Sequence, residues 1–364
     1  MANTFLTVQQ IARAALPILH DNLVFPALSY KEFCAGVGKK GDVVQIKKPA
    51  VYSANEFTSS ISVQDIKENS VLVTLDKIAD VSVELSAKEM ALDLEDFTRQ
   101  VVYPAAIAIA EKINADGLML YKDIPFTCGA AGTTPSGIST FAAVSKALND
   151  RKAPLAERYC VWNSAALASF QSDSAIVSAE KCGTTKALRN GSIGRIIGLE
   201  NYMSQQVCTH KKGTLAGTLK VAENTAEGAD RVKISCSSGT LVKGDILTIN
   251  GNNYVVAENA EAASSFITAK IYPAVAEGGF SAQDAVTLMN DHTANIAFHK
   301  NAFGFVSRPL EKARGAESYV TSFDGISLRV TMDYNIATKK QTMSVDTLYG
   351  FKTLYPELAV RVLG

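Results

Sequence analysis

The sequence predicts an α+β protein with a small β-barrel inserted into the chain, and three observations carry that prediction. Apolar residues keep helical spacing over nearly thirty residues, from Asp93 to Tyr121. Between Val43 and Leu85 the period switches to two, as in strands exposed on one face. Between Thr214 and Met289, short strand-like runs follow one another with turn residues between them, the pattern of a compact barrel.

The chain has 364 residues, which at ~150 residues per domain implies two or three domains. Hydrophobic residues make up 47% and charged residues 20%, so a large core is available and disorder is disfavoured. Lys plus Arg and Asp plus Glu both number 36, giving zero formal net charge. Binding of nucleic acid or anionic membrane by bulk charge is therefore disfavoured. A mean hydropathy of +0.07 leaves apolar surface for burial against other subunits. No run reaches the about 18 apolar residues of a membrane span, and residues 1–20 lack the cationic and apolar segments of a signal peptide. The chain is expected to be cytosolic where it is made. The six cysteines, Cys34, Cys128, Cys160, Cys182, Cys208 and Cys236, contain no Cys-x-x-Cys, and reduced, mostly buried thiols are expected.

In chain order, residues 7–22 predict a helix capped by Thr7, with Ile11, Ala14, Ala15, Ile18 and Leu19 on one face. Pro17 predicts a kink or an early stop. The runs around Val44 and Ile46, Ile61 and Val63, Val71 to Leu75, and Val81 to Leu85 predict strands. The Ser-, Asn-, Thr- and Glu-rich stretch between Pro49 and Ile66 predicts a long hairpin with a polar tip and little core of its own. Asp93 is the expected cap of the long helix, and Pro104 inside it predicts a bend. Helices are expected over Ser139–Asn149 and, after an Asn163 cap, to Ser172, with a strand over Tyr159–Trp162. Asn250-Gly251 is the strongest hairpin signal, flanked by the strands Asp245–Ile249 and Tyr254–Ala257. Strand-like patterns return over Ile296–Val306 and Ser318–Leu363.

Motifs for catalysis and cofactor binding fail on physical grounds. Gly36-Val-Gly-Lys39-Lys40-Gly41 lacks the spacing of a phosphate loop and precedes a strand. Gly191, Gly194 and Gly198 miss the dinucleotide fingerprint, and no Gly-x-Ser-x-Gly occurs. His292 and His299 have a spacing that would share a helix face, with Asp291 adjacent. A metal site would need a third ligand, and Cys208-Thr-His210 is remote in sequence, so none is predicted. No catalytic residue, cofactor or metal is expected. Lys39, Lys40, Lys47 and Lys48 read as a solvated charge run in preference to an inner DNA-facing patch.

The order of parts (arm, long two-stranded loop, long helix, mixed domain with an insertion, terminal strands) resembles the major capsid proteins of tailed phages. The segments Ala2–Leu16, Gly41–Pro49, Phe97–Ile113 with its Pro104, Leu188–Ser204, Lys243–Gly251 and Phe303–Leu310 each resemble the corresponding parts of that family. They are most similar to the coat proteins of short-tailed phages that carry an inserted β-domain. The resemblance implies the Hong Kong ninety-seven type capsid fold. Its parts would be an N-terminal arm (1–40), an extended loop (41–85), and the spine helix of the peripheral domain (86–125). An axial domain (126–212) would follow, then the inserted barrel (213–289), the axial return (290–318) and the C-terminal strands of both domains (319–364).

The implied function is structural: many copies self-assemble as hexamers and pentamers into an icosahedral shell around double-stranded DNA, without enzymatic activity. A precursor shell that expands on maturation is expected, with Pro104 as hinge or static kink. An arm starting at residue 1 implies a separate scaffolding protein, and a portal is a further expected partner. DNA contact would be weak and non-specific, with no membrane partner, and the shell would be built in the host bacterial cytoplasm. The polar tip Asn55, Glu56, Phe57, Thr58, Ser59 and Ser60 is the expected intersubunit contact. The alternatives are an encapsulin-like compartment storing cargo enzymes, and a cytosolic enzyme with a dispersed active site.

Overall fold

In the computed structural model, residues 7–31, 39–47, 70–85, 94–183, 186–263, 265–336 and 340–364 are described. They fall into two compact units. The first lies within Met1–Leu23, Lys31–Lys112 and Gly304–Leu354, the second within Val24–Tyr30, Ile113–Phe303 and Tyr355–Gly364.

In the first unit, a helix spans Val8–Asn22 with Thr7 as its cap. Thr7 Oγ1 accepts from the Gln10 amide and the Gln10 side chain accepts from the Thr7 amide, a reciprocal capping box. Of the kink or early stop expected at Pro17, the early stop does not occur: the helix runs through it. Val8, Ile11, Ala12, Ala15, Leu16 and Leu19 are buried, and the helix packs on the strands Glu317–Phe323 and Ile326–Asn335. Burial of that face offsets the ~3 kcal/mol cost of an internal proline.

Those strands belong to an antiparallel sheet in the order Phe303–Arg308, Lys340–Thr353, Ile326–Asn335, Glu317–Phe323, with Lys77–Leu85 also paired to Lys340–Thr353. Ile326, Leu328, Val330 and Met332 point into the core, while alternate positions carry polar ladders. Arg329 donates from Nε and Nη2 to the Asp346 carboxylate, and Ser344 Oγ donates to Asp80 at 2.6 Å. Burial raises the Asp346 carboxyl above its ordinary value, and Arg329 works against that rise. The strands Val43–Lys47 and Ser70–Thr74 pair antiparallel, Val43 opposite Thr74 and Lys47 opposite Ser70. They form the stem of the hairpin expected from the sequence; its tip lies outside the described residues.

The long helical run is continuous from Leu94 to Asp123: α-helix to Phe97, a π-helical turn Thr98–Val102, α-helix Tyr103–Leu118, and a 3-10 turn Met119–Asp123. The Tyr103 amide reaches back five residues to the Thr98 carbonyl. Pro104 has no N–H, and its ring crowds the preceding turn of an α-helix, so the wider π turn accommodates it. Asp93 lies outside the described residues.

The second unit is built on a mixed sheet in the order Thr127–Cys128, Ala359–Leu363, His292–His299, Arg158–Trp162, Leu199–Met203, Arg195–Ile196, with Thr209–His210 paired to the start of His292–His299. The helices Gly137–Asp150 and Ser164–Gln171 cover one face. Asn163 caps the second helix by accepting from the Ala166 amide. Phe141, Trp162 and Phe170 meet at centroid distances of 4.6–5.7 Å, and the Trp162 indole N–H donates to Asn201.

The insertion is a closed antiparallel barrel in the order Val286–Leu288, Ile246–Ile249, Asn252–Val256, Phe266–Tyr272, Arg231–Ser235, Lys220–Val221. Bonds from Val221 N to Asp284 O and from Val286 N to Leu219 O join the first and last strands. Asn250 (φ 50°) and Gly251 (φ 78°) make the two-residue hairpin, both in the left-handed region that this turn requires. Val232, Ile234, Leu247, Tyr254, Ile267 and Ile271 fill a core separate from that of the surrounding sheet. No helix among the described residues is long and apolar enough to cross a membrane.

Gly350 marks a close crossing in the first unit: a Cβ there would stand 2.2 Å from the Thr74 carbonyl oxygen. Gly350→Ala is expected to cost about 1–3 kcal/mol through overpacking and to lower the melting temperature by ~2–10 °C, read by calorimetry.

Candidate functional site

Arg361 is the central residue of the C-terminal strand Ala359–Leu363, in which every residue is buried. Its guanidinium is fully buried. Nη1 donates to the Gly244 carbonyl at 2.8 Å, and Nη2 donates to the carbonyls of Tyr121 (2.6 Å) and Ile124 (3.1 Å). Three chain segments thus converge on one side chain: a turn of the inserted barrel, the end of the long helix, and the last strand. Its carbon lies 4.9 Å from the Tyr121 ring centroid, a cation–π distance. Burial pulls the Arg361 pKa down to about 10, which leaves it charged at neutral pH.

Asp245, next to Gly244, carries the second half of this junction. Its carboxylate accepts from the amides of Gly213 and Val242 and from His210 Nε2 at 2.9 Å. With Nε2–H committed to Asp245, His210 Nδ1 accepts the Tyr121 hydroxyl at 3.0 Å. Burial raises the Tyr121 hydroxyl well above its ordinary pKa. His292 donates from Nδ1 to the Asn290 carbonyl at 2.8 Å, which leaves the Nε2 lone pair 3.4 Å from Arg361. Burial is the main cause that lowers the His292 pKa to about 4, and the neighbouring Arg361 acts in the same direction.

The barrel's two chain crossings lie against one another. Asp291 accepts from Lys211 Nζ and from the Lys212 amide, both at 2.9 Å. Lys212 Nζ donates to Asn290 Oδ1. Asn253 Nδ2 donates to Thr127 Oγ1, a further tie between barrel and sheet. Gly244 (φ +99°) lies so close to Lys122 that a Cβ would approach its Cγ to 2.8 Å.

The residues singled out in the sequence meet this geometry unevenly. His292 and His299 lie on a strand and not on the helix that their spacing suggested, so their odd separation sends them to opposite faces. His299 instead accepts the Asn301 amide. His210, remote in sequence, pairs across the sheet with His292, their rings 5.3 Å apart. Nevertheless, no His, Cys, Asp and Glu grouping suited to a metal ion occurs among the described residues.

Cys160 and Cys236 are buried free thiols, and Cys128 and Cys208 are half-buried ones. Lys39 is 3.7 Å from Glu311 in an exposed ion pair; Lys48 lies outside the described residues. So do Asn55, Glu56, Phe57, Thr58, Ser59 and Ser60. Sequence reading missed Arg361 and Asp245. The available signal for Arg361 was a charge set in an otherwise apolar terminal run, Ala359-Val-Arg-Val-Leu363.

Residues 246–364, about a third of the chain, match the family model described as "P22 coat protein - gene protein 5". Among solved structures, a chain of Mycobacterium phage Che8 superposes with a TM-score of 0.51 at 16% identity, covering 93% of this chain and 90% of that one. The capsid structure of the cyanophage P-SCSP1u also gives a TM-score of 0.51, at 12% identity, with coverage of 94% and 88%. No curated protein matches the sequence. The fold is the Hong Kong ninety-seven type capsid fold, with a closed barrel inserted in it.

Two outcomes are expected at the junction. Arg361→Met leaves the buried carbonyls of Gly244, Tyr121 and Ile124 without their donor, and should cost ~3–5 kcal/mol in denaturant unfolding. Because the folded His292 pKa lies near 4 and its ordinary value is 6.5, acid favours the unfolded chain. The His292 contribution is therefore complete above pH about 6.5 and is lost progressively down to about 4, up to ~3 kcal/mol in all. His292→Gln should flatten the stability profile in that window, measured by denaturant melts at several pH values.

Proposed function

We propose that this major capsid protein of the tailed-phage type closes, in many copies, into an icosahedral shell that encloses double-stranded DNA. The observation that carries the reading is the coat-protein signature over residues 246–364 on a chain with the capsid fold. That signature begins inside the inserted barrel and ends at the C-terminal strand, so it includes the segment that holds Arg361. It favours a phage shell over a cargo-storing compartment, and a structural role over an enzymatic one.

The shell's environment and helpers follow from the same reading. A shell places one sequence in several surroundings and gains its strength from contacts repeated by symmetry. The hairpin stem Val43–Lys47 with Ser70–Thr74 leads to a polar segment that we assign to intersubunit contact, Asn55 to Ser60. A separate scaffolding protein would set the size of a precursor shell, a portal would occupy one vertex, and assembly would take place in the host cytoplasm. Zero net charge suits DNA held by confinement with weak contacts. On expansion of the precursor, the π turn before Pro104 is the point at which the long helix would flex.

The test is sedimentation and electron microscopy of the purified chain, alone and co-expressed with its neighbouring genes. Closed shells or tubes are expected; a small closed oligomer under every condition would overturn the reading. Deleting residues 55–60 should abolish shells while leaving the circular dichroism spectrum unchanged, and unchanged assembly would remove that contact from the account.

A further inference from the structure

The sheet domain of the second unit carries two unmatched surface features. The first is a projecting apolar turn. Leu155, 73% exposed, stands between Pro154 and Ala156, both also exposed. The turn is held rigidly from beneath. Arg158, only 3% exposed, donates from Nε to the Pro154 carbonyl at 2.7 Å and from Nη2 to the Ala153 carbonyl at 2.6 Å. Ala153 is buried in the domain core, and the Lys300 amide donates to the Glu157 carbonyl. A leucine presented on a braced turn loses little conformational entropy on being covered.

The second feature is an apolar groove of about 300 Å³. Ile138, Ile176, Ile193, Ile196 and Ile197 line it, with Lys181 and Arg195 at its rim. Ile138 and Ile197 remain 46% and 45% exposed. Its wall is braced too: Asn201 Nδ2 donates to the carbonyls of Gly194 and Leu199, and Gln171 Nε2 donates to that of Gly191. Glu157, half exposed beside Leu155, pairs with Lys300 of its own subunit at 3.2 Å. A surface pair of this kind contributes little stability, so its carboxylate is free to exchange that partner for the cationic rim.

We propose that the Pro154–Glu157 turn of one copy seats Leu155 in the isoleucine groove of the next, with Glu157 facing Lys181 and Arg195. Turn and groove are different surfaces of one chain, so the contact is head-to-tail, and repetition around an axis closes a ring. The inference rests on the shell reading above and specifies one of its contacts.

The test uses the full chain under conditions in which the unaltered protein assembles. Leu155→Asp should reduce the yield of particles at least tenfold with an unchanged melting temperature, since the residue is exposed in the free subunit. Leu155→Cys combined with Ile197→Cys, oxidised in assembled particles, should give covalent ladders ending at five and six protomers on a non-reducing denaturing gel. Each single variant should remain monomeric. Particles at normal yield from Leu155→Asp, no ladder from the double variant, or crosslinked dimers alone would each overturn the contact while leaving the shell reading in place. Failure of the unaltered chain to assemble at all would remove both.

Discussion

A guanidinium sealed from water needs acceptors from the protein. Both terminal nitrogens of Arg361 find them on carbonyls of two segments distant in sequence, the Gly244 turn and the Tyr121–Ile124 end of the long helix, while its Nε has no hydrogen-bond partner among the described residues. An unpaired charge at that depth costs several kcal/mol, so the position of each segment is tied to the others. The barrel turn at Gly244, the end of the long helix at Tyr121 and Ile124, and the C-terminal strand are set as one arrangement. Asp245 supplies negative charge near the buried cation, and His210 extends the network by bonding to that carboxylate.

This constraint explains how an insertion with its own core can have a defined pose. Apolar packing alone would tolerate sliding, because hydrophobic contact is non-directional. The directional bonds at the junction, with the crossing stapled by Asp291, fix one arrangement. A shell subunit benefits from that rigidity, since an error in domain pose is repeated in every copy. The braced Leu155 turn and the braced isoleucine groove follow the same logic at the surface: buried or half-buried polar side chains hold backbone carbonyls so that apolar groups are presented in fixed positions.

The local features were legible in the sequence because their causes are local. Thr7 and Asn163 cap helices where their side chains reach amides three residues on, and Asn250-Gly251 makes its hairpin by intrinsic left-handed preference. The period of two identified the sheet strands, and the helical spacing around Pro104 identified the long helix. Pro17 shows where local preference lost to tertiary burial. The junction was not legible, since Arg361 is 117 residues from Gly244 and 240 from Tyr121, and no periodicity encodes such a meeting. The spacing of His292 and His299 fits a helix face as well as a strand, and pairing with Arg158–Trp162 and Ala359–Leu363 settles it as a strand.

The buried polar junction holds the barrel and the sheet domain in one arrangement. Electron cryomicroscopy of assembled particles, with each symmetry-distinct protomer refined separately, tests it most directly. The Arg361 guanidinium is expected to contact the carbonyls of Gly244, Tyr121 and Ile124 in every protomer, with the barrel in one pose on its own domain. Protomers in the same particle with those bonds broken and the barrel reoriented would contradict it.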